Sequence, residues 1–134
     1  MPSIDAIEGI GHTYATKLRK ARIRTTEALL RKGATRTDRK RLATATGFTE
    51  QQILAWVNRA DLMRVKGIGA EYSVLLEAAG VDTVKELKLR KSNALHAKML
   101  ELHNQKQLVR RLPTEPMVAA WIAAAAQLPA VIRS

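Results

Sequence analysis

The chain has 134 residues, enough for one ordinary domain or two very small ones, and is 46% apolar and 26% charged with only 4% aromatic residues. Its 23 Lys and Arg against 12 Asp and Glu leave a formal charge of +11, which points to an acidic partner, nucleic acid first and an anionic membrane surface second. No cysteine is present, which excludes disulfide frameworks, Cys-based zinc sites and a thiol nucleophile.

The amino terminus, MPSIDAIEGIG, has neither the basic nor the apolar region of a secretory signal. No stretch reaches the ~18 apolar residues of a membrane span, since the longest run, MVAAWIAAAA at 117–126, is too short. A soluble, cytoplasmic chain is expected. Ile7-Glu8-Gly9-Ile10-Gly11 reads as a turn, and Tyr14, Leu18 and Ala21 follow at i, i+4 and i+7, one apolar stripe of a helix. A second helix is expected from near Thr25 and a third over 37–45. A fourth follows Gly47-Phe48-Thr49, with Thr49 as N-cap and Ile53, Trp56, Val57 and Ala60 on its buried face.

At Val65-Lys66-Gly67-Ile68-Gly69 the pattern begins again, with Tyr72, Leu76 and Ala79 as the next stripe. Thr83-Val84-Lys85-Glu86 has the form of a capping box, in which hydroxyl and carboxylate satisfy free N–H groups of a first helical turn. Helices are expected over about 93–110 and 115–127, separated by Leu112-Pro113, with Thr114 as N-cap. Nothing alternates with period two over a useful length, so no strand is predicted.

Laying 7–30 over 65–88 pairs Gly9, Ile10, Gly11, Tyr14, Leu18, Ala21, Thr25 and Leu29 with identical residues 58 positions later. ILAWV at 53–57 resembles VAAWI at 118–122 once about seven extra residues are allowed in the second copy. The expected fold class is all-α: two copies of one helical unit, 1–61 and 62–134, packed as one compact domain.

A two-glycine turn leading into a helix leaves the first N–H groups of that helix without intrahelical partners. Glycine permits positive φ and lets a foreign backbone approach, and the helix dipole adds positive potential, so the turn suits one phosphate oxygen. Such contacts read a nucleic-acid backbone and not its sequence. Residues 16–41 hold Lys17, Arg19, Lys20, Arg22, Arg24, Arg31, Lys32, Arg36, Arg39, Lys40 and Arg41 against Glu27 and Asp38, a local balance of +9. Lys88, Arg90 and Lys91, then Lys106, Arg110 and Arg111, form smaller groups in the second copy.

The spacing of Ile4, Ile7, Gly9, Ile10, Gly11, Ala15 and Leu18 resembles the helix-hairpin-helix motif of nonspecific DNA-binding proteins. Leu62, Val65, Gly67, Ile68, Gly69, Ser73 and Leu76 repeat it with serine in place of alanine. ATGFTEQQILAWV at 45–57 resembles the second, less glycine-rich hairpin of paired helix-hairpin-helix units in recombinase-type proteins. The whole chain, including VNRADLMRVKGIG, AAGVDTVKEL and LVRRLP, is similar to the bacterial family called domain of unknown function 4332. The resemblance implies tandem helix-hairpin-helix units and no established activity. It also implies a lysine or arginine two positions past the second glycine, where this chain has Thr13 and Glu71. Lys66 offsets the loss in the second turn, whereas its counterpart in the first is Glu8.

Expected nucleic-acid contacts are Gly9, Ile10, Gly11, His12, Thr13, Lys17, Arg19, Lys20, Arg39 and Lys40 in the first copy, and Lys66, Gly67, Gly69 and Ala70 in the second. The aromatic residues Tyr14, Phe48, Trp56, Tyr72 and Trp121 are expected in the core, so duplex DNA fits better than a stacking single-strand ligand. His12, His96 and His103 are too scattered for a metal site, and no Ser-His-Asp order, P-loop or carboxylate pair is found. Helix-hairpin-helix glycosylases use an aspartate downstream of the hairpin, and only Asp82 follows Gly69. The expectation is a non-enzymatic, sequence-independent nucleic-acid-binding protein without cofactor or metal. The alternative is a scaffold module whose basic face docks an acidic protein.

Overall fold

The computed structural model describes residues 2–133, so the terminal residues 1 and 134 of the two expected copies lie outside the described part. A 3-10 turn, Ile4–Ala6, precedes α1 (His12–Lys20), α2 (Thr26–Lys32), α3 (Arg36–Thr46) and α4 (Glu50–Leu62). Then come α5 (Ala70–Ala78), α6 (Val84–Leu87), α7 (Ser92–Lys106) and α8 (Glu115–Ala126). The fold is all-α, and among the described residues extended pairing is limited to one bridge, Ser3 with Thr25. Two compact units result, one running to Asp61 and joined by the tail from Val131 onward, the other spanning Leu62–Ala130.

Helix starts follow local chemistry. Thr25, Thr35 and Thr114 each accept from the N–H three residues on, satisfying a donor that the helix leaves free. At α4 the exchange is reciprocal: Thr49 Oγ1 accepts from Gln52 N–H and Gln52 Oε1 accepts from Thr49 N–H, both at 3.0 Å. The expected box at Thr83 is displaced by one residue, since Thr83 Oγ1 accepts from Glu86 N–H while Glu86 Oε2 accepts from Asp82 N–H at 3.1 Å.

In the first unit Ile4, Ile7, Leu18, Ile23, Leu29, Ile53 and Val57 are fully buried. The second buries Leu62, Leu75, Leu76, Leu87 and Met99, with Trp121 packed among them. Each such aliphatic side chain contributes about 1.5–3 kcal/mol relative to an exposed one. These are the stripes that the helical spacing predicts, with one correction among the aromatics. Tyr14 is 38% exposed, although its ring lies 5.1 Å from Phe48 and 5.6 Å from Trp56, because it covers the outer side of that cluster.

Both copies turn out of their glycine-turn helix through a left-handed residue, Arg22 (φ 66°) in the first and Gly80 (φ 89°) in the second. A side chain in this region costs about 1–2 kcal/mol, partly offset by the extra unfolded-state entropy of glycine. Arg22→Gly is therefore expected to stabilise the protein by about 0.5–1 kcal/mol and to raise its melting temperature by a few degrees. A lower melting temperature by circular dichroism would contradict this account of the turn.

Candidate functional site

The glycine turn of the first unit is closed by the Ile10 N–H, which donates to Ile7 O at 3.1 Å; Ile68 N–H and Val65 O do the same in the second. The third residue of each turn must take positive φ, and Gly9 (92°) and Gly67 (95°) do so. Side chains of the same unit fill the space that their missing side chains leave, Arg59 and Trp56 at Gly9 and Trp121 at Gly67. A Cβ on Gly9 would stand 3.1 Å from the Arg59 guanidinium and 3.6 Å from Trp56 Nε1, and one on Gly67 would stand 3.0 Å from Trp121 Nε1. The first glycine of each turn thus serves the fold, and the tryptophans of ILAWV and VAAWI both lie beside their own unit's turn.

The second glycines differ. Gly11 (φ −81°) and Gly69 (φ −106°) have backbone angles open to any residue, and a Cβ on either would meet nothing within 4 Å. Both stand at the N-cap, where they provide no side-chain hydrogen bond. The first helical bonds of α1 and α5 come from Ala15 N–H to Gly11 O and Ser73 N–H to Gly69 O. The preceding N–H groups, those of His12, Thr13 and Tyr14 in the first unit, have no intrahelical acceptor. Neither conformation nor packing within the unit calls for glycine at 11 or 69.

At the start of α1 His12 and Thr13 are exposed, as are Lys17 one turn further on and Lys20 at the far end of the helix, and Lys17 Nζ lies 5.6 Å from the centre of the Phe48 ring. Arg19 is only half-buried but engaged, donating to Ser3 Oγ at 3.3 Å and pairing with Asp5 at 3.6 Å. Two expected contacts require correction. Ile10 is 4% exposed and belongs to the core, because the turn points it between the helices. Arg39 is 6% exposed and donates to the carbonyls of Gly33 (2.9 Å), Ala34 (3.1 Å) and Arg133 (3.0 Å). It thereby satisfies the C-terminal end of α2 and ties down the tail, and burial followed by repulsion from Arg36 pulls its pKa below the usual arginine value. Lys40, its neighbour in sequence, is exposed on α3.

In the second unit Lys66 and Gly69 are exposed and Ala70 is half-buried. Glu71 is held by the segment after α7: its Oε1 accepts from Arg110 N–H at 3.1 Å and lies 3.8 Å from Arg110 Nε. Tyr72 Oη donates to Arg111 O at 3.0 Å and fixes the same segment.

Two arginines from far along the chain engage groups of, or next to, the two turns. In the first unit Arg59, on α4, donates to Glu8 O at 2.6 Å and lies beside Gly9. In the second, Arg110 reaches Glu71 from the extra residues between α7 and α8. Sequence spacing gave no signal for Arg59, and for Arg110 only the inserted length and the basic pair hinted at it.

Among the described residues no group of His, Cys, Asp or Glu is arranged to hold a metal ion, and no helix is long and apolar enough to cross a membrane. No curated protein and no solved structure matches the chain. The family described as domain of unknown function 4332 matches residues 8–128, both glycine turns and both tryptophan helices included, and the chain belongs to that family.

Proposed function

We propose that the protein is a non-enzymatic, sequence-independent nucleic-acid-binding module of helix-hairpin-helix type, with duplex DNA as the preferred partner. The observation that carries this is the open space at Gly11 and Gly69, where glycine has no internal cause. A phosphate oxygen approaching the free N–H groups needs that space, and a side chain there would compete for it. Exposed Thr13 and Lys17, on the first two turns of α1, add a donor and positive potential near the first site, and exposed Lys20 and Lys40 add to the charge of the unit. The engagement of Glu71 by Arg110 reduces its repulsion of an anion at the second.

An acidic protein partner on the same basic surface is the second reading. It is favoured at Gly9 and Gly67, whose positive φ and close side-chain neighbours account for glycine within the fold, but leaves Gly11 and Gly69 without explanation.

Fluorescence anisotropy of labelled duplex DNA, single-stranded DNA and RNA tests the proposal. If roughly three to six phosphates are neutralised, log K against log salt is expected to fall with a slope of about −3 to −5 on duplex. Absence of duplex binding at low salt would overturn it and direct attention to a protein partner.

A further inference from the structure

Each unit gathers a second concentration of positive charge at the far end of its glycine-turn helix. In the second unit the helix α5 stops at Ala78, about 13 Å from its start at the rise of an α-helix. Just beyond lies a cavity of 260 Å³ lined by Ala79, Arg90, Lys91, Ala94, Leu95 and Lys98. Lys91, Ala94, Leu95 and Lys98 stand at i, i+3, i+4 and i+7 at the start of α7, so they share one face, with small Ala94 and buried Leu95 between two lysines. Arg90 is fixed at the rim by donating to Gly80 O at 3.1 Å.

Among the described residues no carboxylate lines this cavity. In the neighbouring turn burial, then Glu86 and Glu77, raises the Asp82 carboxyl above the usual aspartate value. Lys91 and Lys98 are exposed and have no ion pair among the described residues. Three like charges around one hollow repel each other, and a multivalent anion removes that repulsion.

The first unit repeats the arrangement. A groove beside Ala21, the counterpart of Ala79, is lined by Arg31, Lys32 and Arg41, and Lys32 Nζ donates to Ala21 O and Arg22 O as Arg90 does to Gly80 O. There, however, Asp38 also lines the groove and pairs with Arg41 at 3.7 Å, which neutralises part of the charge. Recurrence of the cationic hollow after both helices sets it apart from scattered surface lysines.

We propose that the cavity of Arg90, Lys91 and Lys98 is a phosphate-binding site, separate from the glycine turns and stronger than its first-unit counterpart. The guanidinium offers a planar pair of donors and the two ammonium groups close on the remaining oxygens. The phosphate is carried either by a nucleic-acid backbone or by a free phosphorylated small molecule.

The test is titration of the full-length, ¹⁵N-labelled protein with inorganic tripolyphosphate, read at the amides of Ala79, Ala94 and Leu95. Saturable shifts are expected there. Two variants are expected to weaken them at least about tenfold. Lys91→Ser with Lys98→Gln removes charge, and serine is a good N-cap for α7, so the helix is kept. Ala94→Leu keeps every charge and fills the hollow. Shifts that fail to saturate, that appear equally around Arg31 and Arg41, or that persist in Ala94→Leu would overturn the proposal. Once a site is established, a short duplex that displaces tripolyphosphate assigns the phosphate to a backbone, and a duplex that does not assigns it to a free small molecule. A Gly11→Asp change is expected to leave these shifts intact, so failure of the glycine-turn proposal is distinguishable from failure here.

Discussion

Gly67→Ala is expected to lower the melting temperature by roughly 8–16 °C, whereas Gly69→Ala, two residues away, is expected to cost only about a quarter of that. At Gly67 the backbone has φ 95°, where a side chain costs on the order of 1–3 kcal/mol. The added Cβ would also stand 3.0 Å from Trp121 Nε1, so a tryptophan that is 3% exposed and packed 5.1 Å from Tyr72 would have to shift. A total of about 2 kcal/mol at about 4–8 °C per kcal/mol, the sensitivity of a unit the size of Leu62–Ala130, gives the stated range. At Gly69 neither term exists, and only the poorer N-cap propensity of alanine counts, about 0.5 kcal/mol. Thermal melts followed by circular dichroism, with tryptophan emission as a second probe, would measure both. Equal losses at the two positions would mean that the tryptophan contact and the left-handed turn do not matter as described.

The second large effect is expected on binding and not on stability. Gly11→Asp places an N-cap carboxylate in position to accept the Tyr14 N–H, as Thr25 accepts that of Ala28 in α2. The fold is therefore expected to be unchanged or stabilised by a few tenths of a kcal/mol. The same carboxylate occupies the place proposed for phosphate and repels it. Hydrogen bonds to a charged group are worth about 1.5–3 kcal/mol, so duplex affinity is expected to fall at least about tenfold at fixed salt. Gly11→Ala, which adds only a methyl, is the control for lost space without charge. A Gly11→Asp protein that melts normally and binds duplex within about twofold of the unsubstituted chain would refute phosphate capture at this turn.

Much of the fold was legible because helices advertise themselves locally. Tyr72, Leu76 and Ala79 at helical spacing, Thr114 before Glu115, and Gly-Ile-Gly at an offset of 58 all report on neighbours a few residues away. Arg39 shows where that legibility ends. In sequence it is one member of a basic block, yet it stands fourth in α3, three residues before buried Leu42, on the face that must be buried. Leu95 holds the same fourth position in α7 and is apolar, so comparison of the copies after N-caps 35 and 91 could have exposed the difference. No comparable signal existed for Arg59, because Ala124 stands at the matching place relative to Trp121.

The sequence by itself determined the helical composition, the internal repeat, the family and the presence of a glycine turn before α1 and α5, since periodicity, capping and turn chemistry are properties of short stretches of chain. Only the tertiary structure decided which charges are spent within the fold and which face outward. Arg39 is consumed by three carbonyls, Arg19 by Asp5 and Ser3, Arg59 by Glu8 O and Arg110 by Glu71, the last two across long stretches of sequence, while Lys17, Lys20 and Lys40 are exposed. It also separated the two glycines of each turn, giving one to a tryptophan and leaving the other open, because a missing side chain has meaning only through what stands in its place.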